Sequence, residues 1–236
     1  MKVEHLAIDG SLVTVEANAD LATQASATGW VIVPSLMRAH PFAIYPPGYS
    51  AAVEKATRRN PGITNRSVED YDLKGGKLRV AEVTLPTATG GTRELTVGAW
   101  EGKTGCITTS FVGKERERLV EAFDSLEFSE RSGGVVIDSP ITPLPREPEV
   151  IKEIPKLGVL SIRPAIPSTL EEIPTSRGRV TNRGELFRIR ETSNALIYVS
   201  STSVVRITPL DEADSREMVA IAQDLRIEWL PRGNRR

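Results

Sequence analysis

The sequence predicts an α+β protein made of two tandem units, each an antiparallel β-sheet packed by amphipathic helices. Three observations predict it. Short runs alternate apolar and polar residues, helix-spaced apolar stripes recur near the end of each half, and the second half can be laid over the first.

Phe42-Ala43-Ile44-Tyr45-Pro46 aligns with Leu160-Ser161-Ile162-Arg163-Pro164 at an offset of 118 residues, which also sets Glu54 over Glu172. Later, the block from Leu119 to Phe128 lies over that from Met218 to Ile227 at an offset of 99. The first unit is therefore about 18 residues longer in its middle, the length of an extra hairpin or a lengthened pair of strands. Between the copies Ser132-Gly133-Gly134 breaks the periodicity, and Pro140, Pro143, Pro145 and Pro148 follow. These residues cannot continue a helix or a central strand. The expected division is 1–134 and 135–236, the second unit opening with a Pro-rich connector over 135–156.

Within the first unit, residues 6–17 read as a hairpin about Asp9-Gly10, a pair suited to positive φ. Extended runs are expected at 30–34 and 41–45, closed by Pro46-Pro47-Gly48. Ser50 can cap a helix over 51–59 that stops before Asn60-Pro61-Gly62. Strands follow over 78–85, 94–100 and 106–112, separated by glycine-bearing turns. Each unit then closes on a helix and one strand. Leu119, Val120 and Phe123 stripe the first of these helices, and Met218, Val219 and Ala222 the second, where Asp214 or Ser215 can cap.

Composition excludes several classes. The 236 residues are 39% apolar and 26% charged, ordinary for a globular chain. No run approaches the ~20 apolar residues of a membrane span, and the charged N-terminus does not read as a secretory signal. Thirty basic and 31 acidic side chains leave a net charge of −1, which provides no field for nucleic acid or an anionic membrane. Cys106 is the single cysteine, so no intrachain disulfide forms and a cytoplasmic setting is expected.

The chemical motifs are sparse. Gly98-Ala99-Trp100-Glu101-Gly102-Lys103-Thr104 has three residues between its glycines where a phosphate loop has four, and a strand-like run follows it, so a hairpin turn is expected. His5 and His40 have no metal-ligand spacing; His40 before Pro41 could act as a lone base, but no nucleophile is paired with it. Cys106 reads as a buried thiol. Asp70 with Asp72, and Glu171 with Glu172, read as solvated charge. No catalytic, cofactor-binding or metal-binding residue is assigned, and no cofactor is expected. Trp30, Phe42, Tyr45 and Tyr49 lie within twenty residues and form the candidate protein-interaction patch, with core packing as the competing reading.

The order of strands, short helix, antiparallel strands and final helix closing on Ser125-Leu126-Glu127-Phe128 resembles the PsbP-like superfamily, which includes the DcrB and LpqN groups. The second unit departs from it with Asp224-Leu225-Arg226-Ile227, and no functional residue carries over. The resemblance implies a non-enzymatic scaffold that binds proteins.

Two functions are therefore expected from this sequence. One is a protein-binding adaptor or chaperone, for secretion cargo or a toxin, working through a groove between the units. The other is a structural subunit that assembles with copies of itself, as in a phage particle or contractile injection machine.

Overall fold

A computed structural model of the chain describes residues 1–59, 63–138, 145–189, 195–210 and 215–233. The expected turn at 60–62, the cap at Asp214 and the prolines at 140 and 143 lie outside the described residues. Short alternating runs dominate the sequence, and they form strands: 53% of the chain is strand and 15% helix.

That balance overturns the α+β expectation. The chain is mainly β, built of antiparallel strands, and among the described residues no helix exceeds the 11 residues of α1. The physical reason is local. The helical stripes are real but only about three turns long, whereas polar segments that carry no apolar signal pair as strands once neighbours supply the hydrogen bonds.

Contacts divide the chain into two compact units, Gly29–Arg146 and a split unit of Met1–Thr28 with Glu147–Arg236. The split unit begins with β1 (Lys2–Leu6) and β2 (Leu12–Glu16), a hairpin whose turn places Gly10 at φ 82°. The Asp9 carboxylate accepts from the Ser11 amide and hydroxyl, both at 2.9 Å, and so replaces water at a buried turn. β3 (Ala25–Val33) runs through the division at residue 28.

The 29–146 unit continues with β4 (Arg38–Tyr45), α1 (Tyr49–Arg59), β5 (Thr64–Leu73), β6 (Gly76–Pro86), β7 (Thr92–Glu101) and β8 (Cys106–Val112). It closes with α2 (Arg116–Ser125) and a hairpin of β9 (Glu127–Arg131) and β10 (Gly134–Asp138). Its strand order is β3-β4-β8-β7-β6-β5. On β7, Thr96, Gly98 and Trp100 are buried while Leu95, Val97 and Ala99 are half-buried, so the two faces have different covers. α2 covers the first face through Leu119, Ala122 and Phe123. It comes so close that a Cβ on Gly98 would stand 2.5 Å from Leu119 Cδ2 and 2.8 Å from Phe123 Cε2.

The rest of the split unit holds β11 (Arg146–Ile154), β12 (Gly158–Pro164), the single turn α3 (Pro167–Leu170), β13 (Arg179–Val180), β14 (Glu185–Arg188), β15 (Leu196–Val199) and β16 (Ser203–Thr208). α4 (Ser215–Asp224) and β17 (Arg226–Leu230) end it. Its main order is β11-β12-β16-β15-β14-β13, and a second, three-stranded sheet runs β1-β2-β17. From β11 to β17 the strands and α-helices follow the same order as from β3 to β9 in the 29–146 unit. The middle strands differ in length: β5, β6 and β7 have 10, 11 and 10 residues, where β13, β14 and β15 have 2, 4 and 4.

The segment 135–156, expected as a connector, carries the strands β10 and β11. Val135, Val136 and Ile137 are buried, because β10 pairs with β9. In the same way β2 pairs with β17. β10, expected at the opening of the second unit, thus pairs within the 29–146 unit, and β2, expected in the first, pairs within the split unit.

Candidate functional site

The face of the 29–146 sheet away from α2 is covered only in part, by α1. Pro46-Pro47-Gly48 ends β4 and turns the chain, and Gly48 takes φ +86° there. Glu101, at the end of β7, then receives the start of the helix. Its carboxylate accepts from the Gly48 amide at 2.6 Å, the Ser50 amide at 3.3 Å and the Ser50 hydroxyl at 2.7 Å. A carboxylate satisfies free amides at a helix start and complements its positive end.

Between α1 and the sheet lies a cavity of about 290 Å³. Its floor is the alternate residues Ala81, Val83, Leu85, Leu95, Val97 and Ala99 of β6 and β7. Tyr45 and Tyr49 stack at one end, rings 3.6 Å apart and 5° from parallel. Burial, then the hydrogen bond to Tyr49, pushes the Tyr45 hydroxyl up to about 12. At another part of the wall Arg79 Nη1 donates to Glu54 Oε2 at 2.6 Å. Its Nε and Nη2 grip Asp70 at 2.9 and 3.2 Å, and the hydrogen bond holds the Asp70 carboxyl below its ordinary value. The result is an apolar hollow with one closed ion-pair cluster, a shape suited to an apolar guest.

The four expected interaction residues have three different environments. Phe42 is 2% exposed and meets Phe123 edge-on at 5.8 Å, so it is core. Tyr45 and Tyr49 line the cavity. Trp30 is 44% exposed on β3. Sequence spacing drew them together, but strand alternation sends Phe42 and Tyr45 to opposite faces of β4.

Among the described residues His40 is not joined to a nucleophile. Its Nε2 lies 3.2 Å from the Ser110 carbonyl oxygen, its ring meets Phe111 edge-on at 4.4 Å, and burial lowers its pKa. Cys106 is fully buried, and burial followed by the nearby Glu101 raises its thiol to about 12. In the Gly102 to Gly105 turn, the Lys103 amide and, at 2.9 Å, the Thr104 amide donate to Glu130 Oε1. The amides of the phosphate-loop-like segment therefore hold a carboxylate of their own unit. Asp70 and Glu172 each pair with an arginine, Arg79 and Arg163 respectively. The sequence signal missed was Arg79 itself, which alternates with apolar residues on β6 and so had to face a sheet surface.

No protein-family model matches the chain, and no curated protein matches it. Among solved structures, protein PA94 of unknown function from Pseudomonas aeruginosa aligns at 12% identity and a TM-score of 0.31. The alignment covers 51% of this chain and 84% of that one. At that score the likeness carries no functional information. Among the described residues no helix is long and apolar enough to cross a membrane.

Proposed function

We propose that this chain is a non-enzymatic protein-binding adaptor or chaperone that holds an apolar segment of its partner in the cavity beneath α1. The observation that carries the reading is the cavity wall: six aliphatic residues on two strands, five of them left half-buried beside a short helix, and bordered by a Tyr45–Tyr49 stack. Aromatic side chains bordering an apolar hollow supply binding area at little cost in conformational entropy. The buried, poorly acidic Cys106 and the carbonyl-bound His40 support a binding role over a chemical one.

The test is a photo-crosslinking side chain at Leu95, with the full chain expressed in its native host. One protein adduct of defined mass is expected, and it should disappear when Ala99→Trp fills the hollow. Adducts to lipids or metabolites alone, or a protein adduct that survives Ala99→Trp, would sink the reading.

A further inference from the structure

The split unit has a hollow of its own at the equivalent place, and its chemistry is reversed. With Tyr45 set over Arg163, the ladders put Thr108 over Arg206, since Thr108 faces Ala43 as Arg206 faces Ser161. On the next strand Ala99 corresponds to Ile197, because Ala99 faces Thr108 as Ile197 faces Arg206. Tyr45, Thr108 and Ala99 line the apolar cavity, while Arg163, Arg206 and Ile197 line a hollow of about 590 Å³. Glu54 lines the first hollow and Glu172 the second.

Arg163, Arg188 and Arg206 face this hollow with Glu172 as the single carboxylate among the described residues of its lining, and Thr175 and Ser176 add two hydroxyls. Arg163 and Glu172 form a two-point pair, with Nη1 to Oε1 at 2.6 Å and Nη2 to Oε2 closer still. The Arg163 Nε is buried without a hydrogen-bond partner among the described residues. Beyond the lining, Glu147 and Glu149 also act on Arg163 electrostatically, but Glu149 already accepts from Thr28 and Ser161. Neither the Arg188 nor the Arg206 side chain makes a hydrogen bond or close ion pair among the described residues, and Arg206 acts on Glu172 only at longer range, by its charge.

Among the described residues, three guanidinium groups against one carboxylate leave the lining with two positive charges in excess. Like charges around one hollow repel, and a bound anion would offset them. A phosphomonoester carries close to two negative charges near neutral pH and three acceptor oxygens, which match two open guanidinium forks. The apolar floor of Ile197 and Val204 gives the attached organic group a surface. We infer that the split unit binds a small phosphomonoester here, its phosphate held by Arg188 and Arg206, while Glu172 keeps Arg163 in place. The inference is independent of the apolar cavity and of the adaptor reading.

Isothermal titration of the full chain with phenyl phosphate, inorganic phosphate and acetate tests it. Phenyl phosphate should bind more tightly than inorganic phosphate, and both more tightly than acetate. Arg206→Gln and Arg188→Gln should each weaken phenyl phosphate by about tenfold, as loss of a charged hydrogen bond does. Both side chains lie at the surface, so the variants keep the wild-type circular dichroism. Glu172→Gln should strengthen binding several-fold by removing the competing carboxylate, a gain that a purely structural pair would not produce. Phenyl phosphate no tighter than acetate, unchanged affinity in Arg206→Gln, or binding of a phosphoserine peptide without binding of phenyl phosphate would each overturn the inference.

Discussion

Arg79 on β6 reaches across to Glu54 on α1 and donates to its carboxylate at 2.6 Å, joining the helix to the sheet at the cavity wall. The pair is partly exposed, at 31% and 26% for the two side chains, so its contribution is limited to about 1 kcal/mol. Arg79→Met should therefore leave global stability nearly unchanged. Amide hydrogen exchange in α1 should speed up relative to β7, because local opening draws on the weakest contacts. Equal acceleration in both would show that the pair does not anchor the helix.

Leu126 and Leu225 hold the same place after α2 and α4, and both are fully buried. Truncating either to alanine should cost about 2–5 kcal/mol in urea unfolding. Arg118→Ala should stay within about 0.5 kcal/mol, since among the described residues Arg118 makes a 3.8 Å pair with Glu115, a 6.0 Å approach to Phe111 and a weak electrostatic interaction with His40.

Gly98 and Phe123 trade volume against their counterparts. Ladder register sets Gly98 over Leu196, and the closing helices set Phe123 over Ala222, so a small residue on the strand accompanies a large one on the helix and the reverse. Gly98→Leu should cost about 1–3 kcal/mol by overpacking against Leu119 and Phe123. Combined with Phe123→Ala, the total should fall short of the sum of the single effects by about 1 kcal/mol or more. Simple additivity in a double-mutant cycle would contradict this packing account.

His5 sets a pH window. Burial, and after it the charge of Lys152, lowers its pKa to about 4, and its Nε2 has no hydrogen-bond partner among the described residues. Lys152 is itself buried, and its Nζ donates to the Leu21 carbonyl at 3.1 Å and the Thr23 carbonyl at 2.6 Å. Between its ordinary value of 6.5 and about 4 the unfolded chain binds a proton at His5 that the folded chain does not. Stability should thus fall as pH drops through that window, with no His5 contribution to the slope above or below it. In His5→Gln this part of the slope should vanish, and a proton NMR titration of wild-type His5 should show a midpoint near 4.

Local patterns made much of the fold legible. The Asp9-Gly10 turn, the alternation along β6, β7 and β8 and the stripes of α2 and α4 are determined by neighbours in sequence, because side-chain period follows backbone conformation. The Phe42 to Pro46 and Leu160 to Pro164 blocks likewise mark β4 and β12, which hold matching places in their strand orders. Three other matters were decided by tertiary structure. β5, with its polar sequence, is a strand because β6 supplies a partner along its length, and β10 and β11 form despite the flanking glycines and prolines for the same reason. The pairing of β2 with β17 joins residues from opposite ends of the chain, which no local signal encodes. The two hollows also emerge only in three dimensions. Tyr45 and Arg163 read as a mismatch in the alignment, yet ladder register places them on equivalent walls, and the charge around each wall comes from strands and loops far apart in sequence.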